Sequence, residues 1–153
     1  MRSEEARFKI TRRRLPHWWL EGASYFVTFR LAASPLAEEE ILLVRDHIIS
    51  GGTKFYDLIA AAVLPSHVHL LLRPRKGVSL SRAMKGIKGV TARSLNQRRG
   101  RRGSLWQDES YDRIVRDERE LFEKLNYMLL NAVKAELTTD PENYVGWFLN
   151  REA

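Results

Sequence analysis

The chain has 153 residues, 44% of them hydrophobic, which is enough for one domain with a real core and too little for two comfortable ones. A formal charge of +7, from 26 Lys+Arg against 19 Asp+Glu, points to an anionic partner, nucleic acid ahead of an anionic membrane surface. With no cysteine, disulfides, thiolate metal sites and Cys nucleophiles are excluded together. No segment approaches the roughly 20 apolar residues of a membrane helix. The opening "MRSEEARFKITRRRLPHWW" also lacks the apolar core of a signal peptide. A soluble, cytoplasmic protein without membrane association is expected.

Residues 1–23 are polar and basic and read as an N-terminal arm. "SYFVTFRLA" (24–32) alternates and is rich in aromatic and β-branched residues, so it reads as a strand. "SPLAEEEILLVRDHIIS" (34–50) opens on a Ser-Pro cap and carries a helical apolar stripe, closed by Gly51-Gly52. "KFYDLIAAAVLPSHVHLLLRP" (54–74) divides at Pro65-Ser66 into two strands paired as a hairpin. A second, cation-rich helix is predicted over 79–97, followed by the basic loop "RRGRRG" (98–103) and a short extended piece, "SYDRIVR" (110–116). Residues 117–137 form the third and clearest helix, and 138–153 a weakly patterned tail. Strands mixed with helices around a central hairpin give an α+β fold. Its simplest form is a ferredoxin-like split βαβ, an antiparallel sheet with helices packed on one face.

Within the hairpin, "LPSHVHLLLRP" (64–74) places two of the chain's four histidines two residues apart in an apolar run. In a strand His67 and His69 share a face with Leu71 and Arg73, while Val68, Leu70 and Leu72 point the other way. Two imidazoles so spaced can share a divalent metal. Taken alone, the pattern is more often a pair of structural histidines, each satisfied by a carbonyl. On the third helix Leu121, Phe122, Leu125, Met128, Leu129, Ala132 and Val133 make one apolar stripe at about 100° per residue. Tyr127 falls nearly opposite its centre, with Asn131 one turn on. An exposed tyrosine with no role is the plain alternative. The amide oxygen of Asn131 is nonetheless able to complete a metal site with two imidazoles.

"LPSHVHLLLRP" followed by "SLWQDESYDRIVRDERELFEKLNYMLLNAVKAEL" resembles the REP-associated tyrosine transposases, within the HUH single-tyrosine superfamily. The approach "RRRLPHWWLEGASYFVTFRLA" extends the resemblance to about residues 12–137, so that 24–137 is read as the catalytic domain. The resemblance implies that His67 and His69 bind a divalent metal, Mg²⁺ or Mn²⁺, with Asn131 as third ligand. It implies Tyr127 as nucleophile, cutting single-stranded DNA to leave a 5′-phosphotyrosine and a free 3′-OH. Palindromic hairpins are the implied partner, in a nucleoid-associated protein acting as monomer or homodimer. The chain departs from the family at Ala132, where proline is usual, and at Glu136, often glycine. Both changes make the helix more continuous around Asn131.

Other tyrosines compete with Tyr127. Tyr111, close to the basic loop, is the main rival; Tyr25 and Tyr56 alternate with apolar residues, and Tyr144 is in the tail. The cations fall into three clusters: Arg12, Arg13 and Arg14 in the arm, Arg82, Lys85, Lys88 and Arg93 on the second helix, and Arg98, Arg99, Arg101 and Arg102 in the loop. A solvated basic surface is the plain reading. With Trp18-Trp19 and Trp106 nearby they also suit a groove that tracks a DNA backbone. Trp106 suits the core equally well. Two other functions fit the same residues: a hairpin-binding protein without catalysis, and a His-x-His metal hydrolase in which Tyr127 is incidental.

Overall fold

The computed structural model describes residues 22–52 and 54–151, so Arg12, Arg13, Arg14 and the Trp18-Trp19 pair lie outside the described residues. Aromatic and β-branched alternation makes β1 (Ser24–Leu31) a strand, and α1 (Glu38–Gly51) crosses to β2 (Tyr56–Val63). A tight turn at Pro65-Ser66 joins β2 to β3 (His67–Pro74). After α2 (Leu80–Arg99) the chain returns as β4 (Trp106–Val115), then α3 (Glu118–Lys134). A 3₁₀ turn (Pro141–Asn143) and β5 (Trp147–Leu149) complete the described elements. The strand order is β4-β1-β3-β2-β5, and every pairing is antiparallel. β1 and β2 run parallel with β3 between them, which is the split βαβ expected.

Two cores follow from the period-two alternation of the strands. Val27, Phe29, Val68, Leu70 and Leu72 pack with Ile41, Val44 and Ile48 of α1 and Ala83, Ile87 and Leu95 of α2. On the other face Phe26, Ile59, Ala60, Ala62 and Leu71 meet Leu121, Leu125, Met128 and Leu129 of α3. The crossover helices thus pack on one face as expected. The third helix does not join them. The apolar strip left by Phe26, Ala60, Ala62 and Leu71 needs its own cover, and α3 provides it.

Several boundaries move, each for a local reason. α1 starts at Glu38 rather than at Ser34, because the Glu40 carboxylate accepts from the Ala37 N–H and closes the first turn there. Arg98 and Arg99 belong to the last turn of α2, which stops at Gly100 in the left-handed region (φ 62°). The extended piece expected at 110–116 is a ten-residue strand, since Trp106 already pairs with Leu31 across a register shift. The tail is not loose within the described residues. β5 pairs with β2, Trp147 is buried in the second core, and a Cβ on Gly146 would lie 2.0 Å from the Val63 carbonyl oxygen.

α3 also ends earlier than 137. The Leu137 N–H bonds Ala132 O at 2.9 Å and the Glu136 N–H bonds Val133 O at 3.0 Å, the paired closing bonds of a Schellman motif. Glu136 sits at φ 59°, so the helix is not continued through it. A side chain in that region costs roughly 1 kcal/mol or more. Glu136→Gly is expected to raise unfolding free energy by about 1 kcal/mol, read as a higher midpoint in urea at unchanged slope.

Arg99 fastens the approach to α1. Its Nε and Nη2 donate to Glu40 at 2.7 and 2.9 Å, and its other donors reach the carbonyls of Ser34 and Pro35 at 3.0 Å. This bidentate pair first, and the Ala37 N–H with it, hold the Glu40 carboxyl down from 4.5 to about 2 against the opposing effect of burial. A depressed carboxylate gives stability that is present above its unfolded value and lost as pH falls through the folded one. Denaturation between pH 6 and pH 2 is expected to show a loss beginning near 4.5 and continuing toward 2. Glu40→Gln should remove that part of the slope and cost about 2 kcal/mol at pH 7.

Candidate active site

β1 and β3 present Phe26, Thr28, Arg30, His67 and His69 on the face that α3 covers, with Thr28 paired to His69 and Arg30 to His67. α3 is held there by Leu121 and Leu125, both fully buried, whose truncation would cost roughly 2–5 kcal/mol each. Its flank then brings Lys124, Tyr127 and Asn131 against the histidines. The Tyr127 ring lies edge-on to His69 at 5.4 Å and to Phe26 at 6.2 Å. Asn131 Oδ1 stands 3.3 Å from His67 Nε2. The four residues singled out in the sequence are therefore neighbours, drawn from two elements about 60 positions apart in the chain.

The two imidazoles are edge to face, with centroids 4.8 Å apart. Ser66 Oγ is 3.0 Å from His67 Nδ1, and Thr28 Oγ1 is 2.7 Å from His69 Nδ1. His69 Nε2 is buried and has no hydrogen-bond partner among the described residues. Burial lowers the pKa of His67, with a smaller push from Arg30, against the hydrogen bond that Asn131 Oδ1 accepts. For His69 burial dominates, and His67, Arg30 and Lys124 add repulsion, so that its pKa falls to about 3. Both rings are neutral at pH 7 and keep a lone pair available. His67 Nε2, His69 Nε2 and Asn131 Oδ1 together have the chemistry of an N₂O donor set for a divalent cation. Among the described residues no three His, Cys, Asp or Glu side chains cluster, and the amide oxygen of Asn131 stands beside the pair.

An open cleft of about 590 Å³ begins at His69 and Tyr127 and runs to the edge strand β4. Its lining includes residues that the sequence pattern did not single out: Phe26, Thr28, Arg30, Gln107 and Lys124. The only signal for Thr28 and Arg30 was their place in the alternation of β1, which becomes informative once His69 is known to lie beside them. Tyr111 also lines the cleft, so the rival tyrosine is a near neighbour of Tyr127.

The cations expected to hold DNA do not line this cleft. α2 packs on the opposite face of the sheet. Arg98 is paired with Glu39 at 2.6 Å, Arg99 with Glu40, and Arg101 bonds Asn96 and the Ser104 carbonyl. Lys88 donates to the Gln107 carbonyl at 2.8 Å, and Arg82 lies over the Phe55 ring. Lys85, Arg93 and Arg102 are exposed. Trp106 is in the core, donating from Nε1 to Thr91 Oγ1. Tyr56 is buried, and Tyr144 donates to the Val63 carbonyl, which leaves Tyr127 and Tyr111 as the exposed phenols of this face.

The sheet thus carries two histidines on its central strand, faced by the helix that bears Tyr127. The family described as Transposase IS200 like matches residues 46–121 of the chain. A Haemophilus influenzae protein provisionally named a REP-associated tyrosine transposase is 26% identical over 89 residues, 52% of this chain and 51% of that protein. The chain thus spans about half the length of this curated relative. The fold is that of a REP-associated tyrosine transposase solved bound to a REP hairpin, with a TM-score of 0.68 at 20% identity over 84% of this chain and 78% of that one. A Deinococcus radiodurans protein provisionally described as a transposase superposes with a TM-score of 0.54 at 21% identity, over 68% of this chain and 86% of that one.

The bond from Thr28 decides which nitrogen of His69 carries the proton. A proton on Nε2 would leave a buried N–H unpaired, whereas on Nδ1 it donates to Thr28 Oγ1. ¹⁵N spectra of the metal-free protein are expected to show His69 as the Nδ1–H tautomer. In Thr28→Val this preference should be lost, and in Thr28→Ser kept.

Proposed function

We propose that the protein is a metal-dependent single-stranded DNA endonuclease and strand transferase acting at hairpin DNA through Tyr127. The observation that carries this reading is His69 Nε2, buried and without a hydrogen-bond partner among the described residues, in a ring that lines one cleft with the Tyr127 ring 5.4 Å away. His67, His69 and Asn131 would hold Mg²⁺ or Mn²⁺. When bound, the ion would polarise the non-bridging phosphate oxygens and stabilise charge developing on them. Asn131 donates its oxygen without adding negative charge, so the site keeps its attraction for phosphate.

The Tyr127 hydroxyl attacks phosphorus, its O–P bond forms as the bond to the 3′ oxygen breaks, the phenolic proton leaves to solvent and the departing 3′ oxygen takes one up from it. The products are a 5′-phosphotyrosine and a 3′-OH. Because the phosphotyrosine keeps the energy of the broken bond, a 3′-OH can reverse the step, and joining needs no nucleotide cofactor. Tyr127 is 46% exposed, so a strand has access to its oxygen. Exposed cations on other faces, Arg82, Lys85 and Arg102, would contact the backbone of the hairpin stem.

The test is adduct formation. The full chain with Mn²⁺ and an oligonucleotide carrying a palindromic hairpin with single-stranded flanks should give a covalent species on a denaturing gel. Tyr127→Phe should abolish it and leave hairpin affinity within about twofold, because one oxygen is removed from a half-exposed ring. His67→Ala and His69→Ala should lower cleavage by roughly 100-fold or more at unchanged binding, and Asn131→Ala less, since water can replace one neutral ligand. Hairpin binding with no adduct under any metal would instead identify a binding protein without catalysis. Cleavage that survives Tyr127→Phe would point to a hydrolase.

A further inference from the structure

We infer that the cleft between α3 and β4 is a nucleotide subsite, in which Tyr111 stacks on a base while Arg30 and Lys124 hold the backbone of a single DNA strand on either side of it. This rests on the proposed function and names what the cleft beside Tyr127 receives. The Tyr111 ring projects from an edge strand and is 54% exposed, with no strand beyond it among the described residues. It is nonetheless held in place. Phe26 supports it edge-on at 6.4 Å, as it supports Tyr127 from the other wall at 6.2 Å. Phe26 itself is stacked on His69 at 5.5 Å with 17° between the rings. The cleft therefore has an aromatic floor that continues into the histidine pair, and two phenol walls. Its volume of about 590 Å³ is in the range that accommodates a small organic group such as a nucleoside.

The charges mark the path of a strand. Arg30 stands at the His67 end of the floor, through the pairing of β1 with β3. Lys124 stands at the other end, with Nζ 4.8 Å from the centre of the Phe26 ring. Among the described residues neither makes an ion pair, whereas Arg98 and Arg99 are both taken up by carboxylates. Arg30 is exposed and Lys124 half-buried, so both can meet an anion that enters the cleft, whose lining also includes the carboxylate of Glu109. A phosphodiester is that anion at each end, and the base between them meets the face of Tyr111. On this assignment Tyr111 is a stacking platform rather than a second nucleophile. Its ring matters and its hydroxyl does not.

Affinity for a fluorescein-labelled dT₁₂ strand, measured by anisotropy on the full chain without metal, separates these roles. Tyr111→Ala is expected to weaken binding roughly 5- to 150-fold, and Tyr111→Phe to keep it within about twofold. Lys124→Met and Arg30→Gln should each reduce the slope of log affinity against log salt by about 0.7. Thermal unfolding of each variant checks that the edge strand is intact. Unchanged binding by Tyr111→Ala overturns the subsite, and so does a Tyr111→Phe defect as large as that of alanine. The adduct at Tyr127 is scored separately on hairpin DNA. If it forms while Tyr111→Ala binds dT₁₂ normally, the subsite fails and the proposed reaction stands.

Discussion

The site depends on the alternation of one strand. β3 lies between β1 and β2, so its side chains have only two directions available, and both are occupied. Val68, Leu70 and Leu72 go to the core beneath α1 and α2, which fixes the register because a slip of one residue would exchange the faces. His67 and His69 are then forced onto the opposite face. Their exposure to one another, and to β1, is a consequence of burying the leucines.

That second face is too apolar to be left open and too polar to be a plain core. Leu71, Phe26 and the alanines of β2 call for a cover, and the stripe of α3 supplies it. The histidines lie at the margin of the same contact. A helix that buries Leu121, Leu125, Met128 and Leu129 necessarily presents its flank to that margin, and the flank carries Lys124, Tyr127 and Asn131. Packing energy, rather than any polar bond, sets the distance from phenol to imidazole. The polar bonds refine it: Thr28 and Ser66 orient the rings, and Asn131 faces His67.

Electrostatics follow the same division. Burial keeps both imidazoles neutral, and Arg30 and Lys124 reinforce this for His69. Arg99, in the last turn of α2, serves the scaffold instead. Arg99 joins three segments through Glu40 and the Ser34 and Pro35 carbonyls, and it is two-thirds or more buried in doing so. A cation in such a network has no donors left for phosphate.

The strand and helix periods were legible in the residues themselves, and so were the shared face of His67 and His69, the split βαβ order and the stripe of α3. These are local properties, set by backbone geometry. Cation density was legible too, but not its use, because whether Arg99 meets Glu40 or a phosphate depends on how α2 packs against α1. The placement of α3 on the far side of the sheet, the pairing of β5 with β2 and the left-handed turn at Glu136 had no periodic signal. The cleft residues Thr28, Arg30 and Lys124 had only their places in the strand and helix periods, and they are far apart in the chain and ordinary in composition. Sequence determined which faces each element would offer. Only the tertiary structure decided which faces met, because that choice is made by the total apolar area that can be buried at once.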